Sequence, residues 1–295
     1  MRPRVVIVDY HKGNLSSVAR GLARAGADAV VSDDPAAIRS AEALVLPGVG
    51  SFYDAISFMA ESGEAEAVRA AVLAGTPFLG VCLGQQLLFE RGDENVPADA
   101  PCCAAADSAG SNLQPGDVFE AGGKRWVRGL GLLRGSCVRM DGSRLKVPHV
   151  GWDQVHPTAA GAASSLLAGF PEGANMYFTH SYAVAGEDPA DVTARTHYTC
   201  SFPSMVAHGN VFGCQFHPEK SSGRGLDILR NFVEIARGSR DGGDRGLDGC
   251  DRNDRGDDSG ARVPSCAESH DESDVAAALG ATAAGAERPL EVPRP

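Results

Sequence analysis

The stretch that decides the fold runs Pro77-Phe78-Leu79-Gly80-Val81-Cys82-Leu83-Gly84. Its first half is a short apolar run with no polar face, the pattern of a strand buried on both sides. A helix is expected to open at about Leu83, which places Cys82 at the strand-to-helix turn. Gly-x-nucleophile-x-Gly in that setting is a nucleophile elbow: the nucleophile's backbone is strained, and small neighbours let the turn close. A cysteine there also meets the N-terminus of a helix, whose dipole and free N–H groups favour the thiolate. Cys102, Cys103, Cys137, Cys200, Cys214, Cys250 and Cys266 have no such setting.

Working outward, short apolar runs alternate with helical spacing. Strands are expected at Val5–Asp9, Ala29–Ser32, Ala43–Leu46 and Pro77–Val81. Helices are expected at Leu15–Ala25, with Asn14 as N-cap, and around Tyr53–Met59 and Glu64–Leu73. The second half reads as strands at Leu132–Arg139, Met176–Val184, Val192–His197, Met205–Ala207 and Val211–Phe216, then a last helix at Leu226–Ala236. The fold class is therefore α/β, a mixed, mainly parallel sheet flanked by helices. Residues 1–238 form one domain. Asp93–Gly123, rich in Ala, Asp, Ser, Gly and Pro, reads as a long loop insertion. Its Cys102-Cys103 pair has no His or second Cys pair nearby, so a plain loop is expected and no metal site.

A cysteine nucleophile needs a base and a group to orient that base. Phe216-His217-Pro218-Glu219 supplies both. In an extended chain residues i and i+2 point the same way, so His217 and Glu219 project together, with Pro218 holding the stretch extended. A third piece, Leu46-Pro47-Gly48-Val49-Gly50-Ser51, also ends a strand. Its backbone N–H groups, with that of Leu83, can stabilise charge developing on a carbonyl oxygen, so Val49, Gly50 and Leu83 form the expected oxyanion hole.

Composition bounds the remaining possibilities. The 295 residues carry 38 acidic and 27 basic side chains, a formal net charge of −11. Nucleic acid is therefore not the expected partner, because neutralising phosphates needs clustered Lys and Arg. The acidic, Lys-poor balance suits either a salt-rich cytoplasm or a GC-rich genome. No stretch reaches the roughly 18 apolar residues of a membrane span. With no secretory h-region and irregular cysteine spacing, the expected location is the cytoplasm. Residues 239–295 hold 13 acidic and seven basic side chains and almost no large apolar ones, and are expected to form a disordered acidic tail.

Taken together, the motifs resemble the class I glutamine amidotransferases. The closer similarity is to the glutaminase subunits of imidazole glycerol phosphate synthase, in histidine biosynthesis. That similarity rests on Asp9-Tyr10-His11-Lys12-Gly13-Asn14-Leu15, Pro47-Gly48-Val49-Gly50-Ser51-Phe52, the elbow through Glu90, His149-Val150-Gly151-Trp152, Tyr177-Phe178-Thr179-His180-Ser181-Tyr182 and Gln215 to Ser221. It spans about Val5 to Ala236. Two departures stand out: His11 where such proteins often have Gly, and Asp153 where Asn is usual.

The resemblance implies a Cys82-His217-Glu219 triad that releases ammonia from glutamine through a thioester, with no cofactor. It implies that Gly50, Gln86, Glu94, Ser181 and Tyr182 bind the substrate. Asn14, Trp152, Tyr177 and Lys220 match positions facing a separate cyclase with a (β/α)8 barrel, the partner in a heterodimer. His180 reads as a satisfied sheet histidine rather than a second base. Two alternatives stay open: the glutaminase of pyridoxal phosphate synthesis, disfavoured by Val49 and Gly151-Trp152, and a catalytically silent binding module.

Overall fold

In the computed structural model the described residues are 1–241. The elements run β1 (Arg4–Val8), α1 (Leu15–Ala25), β2 (Asp28–Ser32), α2 (Pro35–Arg39), β3 (Ala43–Gly48), α3 (Phe52–Glu61), α4 (Glu64–Leu73), β4 (Phe78–Cys82) and α5 (Leu83–Gln86). Then follow β5 (Phe89–Gly92), β6 (Val118–Ala121), β7 (Lys124–Arg128), β8 (Leu133–Arg139), β9 (His149–Pro157), α6 (Ala159–Ala162), β10 (Ala174–His180) and β11 (Tyr182–Ala185). The chain continues through β12 (Val192–His197), β13 (Ser201–His208), β14 (Val211–Cys214) and α7 (Ser222–Asp241).

Nine strands form one mixed sheet in the order β10-β9-β12-β13-β14-β4-β3-β1-β2. Pairing is parallel from β2 through β14 and antiparallel beyond it. The pleat sorts the core in two. Val5, Ile7, Ala43, Val45, Leu79 and Val81 pack on the face covered by α1 and α7. Their sequence neighbours Val6, Val8, Leu44, Leu46 and Phe78 pack on the face covered by α3 and α4. Both faces of the parallel strands are buried, which is why those segments read as unbroken apolar runs.

A second, five-stranded sheet, β11-β8-β5-β7-β6, forms a layer that the sequence pattern does not separate from the first. Met176–Val184, expected as one strand, breaks at Ser181: β10 belongs to the large sheet and β11 to the small one. The insertion is free of helix and strand over most of its length, but its end is β6. That strand pairs with β7 across a Gly122-Gly123 turn with φ of 60° and 71°, the geometry of a two-residue hairpin. Asn14 does precede α1, yet its side chain makes no capping bond because its ψ of 49° lies outside the extended region that a cap requires. The last helix extends to Asp241. Ser239–Asp241, expected to begin the tail, are instead the end of this helix, and the rest of the tail, with Cys250 and Cys266, lies outside the described residues.

Candidate active site

Cys82 ends β4 with φ 56° and ψ −110°, a strained conformation for a residue bearing a β-carbon. The strain survives because neighbouring backbone leaves no other path. A β-carbon on Gly84 would lie 1.8 Å from Leu46 O, and one on Gly80 would lie 2.5 Å from Gly84 O. α5 is thus pressed directly onto β3 and β4. Leu83 opens that helix, so its N–H has no acceptor within it.

The thiol is 6% exposed and opens into a pocket of about 230 Å³. Cys82 Sγ donates to Thr179 O at 3.8 Å and accepts from Gln215 Nε2 at 3.6 Å. His217 lines the same pocket. Its Nδ1 donates to Glu219 Oε1 at 2.9 Å, and the Glu219 side chain is 1% exposed. Among the described residues, His217 Nε2 has no hydrogen-bond partner. Burial alone would lower the imidazole, but interaction with Cys82 and with the Glu219 carboxylate outweighs it and lifts His217 to about 9. The ring therefore takes up a proton more readily than an ordinary histidine.

The turn that carries His217 and Glu219 differs from expectation. Pro218–Lys220 is a 3-10 turn, not an extended segment. Proline at the first helical position lacks only an N–H that would have had no partner there. His217 and Glu219 therefore face one another across the turn. Ser221 fastens it: its Oγ donates to His217 O at 2.6 Å and accepts from Tyr177 N at 3.0 Å.

The loop after β3 forms the opposite rim. Val49 is 41% exposed and Gly50 has φ +106°, left-handed backbone natural to glycine. Ser51 caps α3, its Oγ accepting from Asp54 N at 3.4 Å. Tyr10, fully buried, donates its phenol O–H to Val49 O at 3.5 Å, and burial raises its pKa strongly.

Of the residues expected in the site, Val49, Gly50, Cys82, Leu83, Gln86, Glu94, Ser181, Tyr182 and His217 line this one pocket, with Glu219 directly behind His217. Two are more committed than expected. Gln86 donates to Tyr182 O at 2.9 Å and to Gln215 Oε1 at 3.0 Å, so both its N–H groups are used within the protein. Glu94 accepts from Phe52 N at 3.0 Å, and burial raises its pKa.

Trp152, Tyr177 and Lys220 lie outside the pocket and form an exposed cluster. Trp152, 53% exposed, meets Tyr177 edge-on at 6.0 Å, and Lys220 Nζ stands 5.8 Å over the Tyr177 ring. Asn14 is half-buried at the head of α1. Gln215, Thr179 and Tyr10 join the site without a role assigned from sequence. Gln215 carried a signal, lying two residues before His217 at the end of a strand. No group of three or more potential metal ligands occurs among the described residues, and no helix among them is long and apolar enough to cross a membrane.

Comparison with known proteins agrees with this geometry. Residues 6–236 match the family described as glutamine amidotransferase class-I. The chain is 41% identical over 240 residues to the imidazole glycerol phosphate synthase subunit HisH of a Geobacillus strain, covering 79% of this chain and 97% of that protein. It is 43% identical to the HisH subunit of Halobacterium salinarum, covering 78% and 92% respectively. Among solved structures, a GMP synthase protein from Thermoplasma acidophilum superimposes with a TM-score of 0.54 at 19% identity. The match covers 82% of this chain and 97% of that one, a likeness of fold. The strained thiol, the buried His–Glu pair and these matches lead to one conclusion: the chain belongs to the class I glutamine amidotransferases and, among them, to the HisH subunits.

Proposed function

We propose that this chain is the glutaminase subunit of an imidazole glycerol phosphate synthase, acting in the cytoplasm in a heterodimer with a (β/α)8 cyclase. The observation that carries the reading is the strained Cys82 thiol in one pocket with His217, whose far nitrogen is bound to the buried carboxylate of Glu219. Cys82 passes its thiol proton to His217 Nε2 and attacks the side-chain carboxamide carbon of glutamine as thiolate. Negative charge moves to the carbonyl oxygen, where the backbone N–H groups of Val49, Gly50 and Leu83 meet it. His217, now an imidazolium, gives its Nε2 proton to the nitrogen, and the C–N bond breaks to release ammonia and leave a thioester. Water then gives a proton to His217 and attacks the thioester, freeing glutamate and the thiolate. Glu219 holds the ring in orientation throughout.

Glu94, Ser181, Tyr182, Gln86 and Gly50 form the glutamine subsite. Gln86 acts largely by holding the Tyr182 carbonyl and Gln215 in place. Trp152, Tyr177, Lys220 and Asn14 face the cyclase, which uses the ammonia to make imidazole glycerol phosphate and aminoimidazole-carboxamide ribonucleotide. The HisH names of the relatives support this pairing. Val49 carries a β-carbon, so turning its peptide toward the oxyanion costs more than it would for glycine. The lone chain should accordingly hydrolyse glutamine slowly, and nucleotide-loaded cyclase should raise the rate by about 10²–10³, the worth of one oxyanion donor. Equal rates would remove the gating. The deciding experiment is Cys82→Ala: in complex with the cyclase it should lose synthesis from glutamine and retain synthesis from ammonium salts. Continued glutamine consumption would overturn the assignment of the nucleophile.

A further inference from the structure

His149 and His180 are register partners on β9 and β10, and both are buried. His149 Nδ1 lies 3.2 Å from His180 Nε2, and His180 Nδ1 lies 2.8 Å from Tyr182 O. At the other end, His149 Nε2 lies 3.3 Å from Asp153 Oδ2. The His149 ring is stacked on Tyr198 at 4.0 Å and on Phe178 at 4.8 Å, which fixes its plane. Asp153 is pinned as well, because its Oδ1 accepts from Gln154 N at 2.8 Å.

The hydrogens in this array can be counted. Three contacts need three N–H groups, and both ends, a carbonyl and a carboxylate, only accept. Two neutral imidazoles supply two N–H groups between them. The array is therefore one proton short, and all three contacts form together only when one ring is doubly protonated. The charge belongs on His149, beside the carboxylate. Burial, with His149 and His217 nearby, holds His180 neutral by pushing it down to about 3. Burial lowers His149 too, with Asp153 opposing, so the third proton binds below the ordinary histidine range. The other titratable groups facing these rings are His217 and the Tyr198 phenol, whose O–H is directed to Lys146 O at 2.8 Å.

The array ends on the wall of the thiol pocket. Tyr182 O, which receives His180, also receives Gln86, and Thr179 O receives the Cys82 thiol. We propose that Asp153, His149 and His180 are positioning residues whose uptake of one proton fixes the Thr179–Tyr182 wall of the glutamine subsite. The link to glutamine rests on the function proposed above; the proton count does not.

The test follows the ring nitrogens of His149 and His180 by ¹⁵N NMR in the full chain, from acid to mildly alkaline pH, for the natural sequence and Asp153→Asn. The Asn side chain brings its own N–H to His149 Nε2, so the variant array is complete with both rings neutral. In the natural chain His149 should become doubly protonated on acidification, and the KM for glutamine should fall by about threefold to tenfold over the same range, the worth of one hydrogen bond. In Asp153→Asn, His149 should stay neutral over that range and KM should remain flat at the low value. A His149 that never takes the second proton in the natural chain, or an Asp153→Asn profile that matches the natural one, would overturn the proposal. Absence of glutamine turnover even in complex with the nucleotide-loaded cyclase would count against the proposed function, while the ring titration would still decide the array.

Discussion

The two walls of the thiol pocket are built on different principles. On one side, the loop after β3 and the β4–α5 elbow do their work with backbone: strained φ/ψ at Cys82, left-handed Gly50, and glycines at 80 and 84 that let α5 touch β3. On the other, Thr179–Tyr182 and Gln215–Glu219 rely on a mesh of side-chain hydrogen bonds, from Gln86 through Gln215 to the thiol and from Glu219 to His217. The first wall fails when an atom is added, because there is no room. The second fails when a charge or donor is removed, because a buried polar partner is left unsatisfied.

Two substitutions sharpen that contrast, and a third, away from both walls, isolates the effect of a buried charge. The largest effect is expected from Glu219→Gln on the side-chain wall. It keeps the shape but removes the charge that raises His217, so turnover of glutamine should fall by about 10²–10⁴-fold. The imidazolium now survives only to about pH 9. With its pKa lowered, the alkaline limb of kcat/KM should move to lower pH, as a pH–rate profile would reveal. An unchanged limb would mean that Glu219 acts through packing alone.

Gly84→Ala on the backbone wall should instead cost folding. Its β-carbon would overlap Leu46 O, an atom held in the sheet, for a loss of roughly 3 kcal/mol or more by urea denaturation. If stability were intact and activity alone were lost, the wall would be less rigid than described.

The smallest effect concerns Glu64, which is fully buried at the start of α4. Burial, with Asp33 and Asp9 nearby, raises it to about 7. An acid with a raised folded pKa is destabilising once ionised. The chain should therefore lose stability as pH rises from about 4.5 toward 7, by about 3 kcal/mol in all. Glu64→Gln should remove that loss, raising Tm above pH 7 and leaving it nearly unchanged near pH 4. An equal Tm gain at both pH values would mean that packing, not charge, is responsible.

The backbone wall is legible in the sequence and the other wall only in part, for the same reason that they differ. Strain and close approach leave a local signature, Gly80-x-Cys82-x-Gly84 or Gly48-Val49-Gly50, because only certain residues tolerate them. The α1 and α4 boundaries are equally readable from periodicity. A hydrogen-bond mesh leaves no such mark: nothing local says that Gln86 spends its donors on Tyr182 and Gln215, or that His149 meets His180. The small sheet is hidden because its strands are short, and one of them, β11, continues β10 with no turn residue except Ser181. The 3-10 turn at Pro218 is masked by an ambiguity in proline itself, which fits an extended chain and a first helical turn equally well.

The position of β14 between β13 and β4 bears on how the molecule is made. β4 pairs with β3 on one side and with β14 on the other, joining Phe78 to Val211 across more than a hundred residues. During synthesis, therefore, β4 waits as an open sheet edge until the chain has been extended past Cys214, the kind of edge that invites wrong partners. The same interval keeps the proposed nucleophile, Cys82, from its proposed base, since His217 follows β14 directly. On the function proposed above, the nascent chain thus carries a cysteine that stays latent until the strand completing the sheet also delivers the histidine.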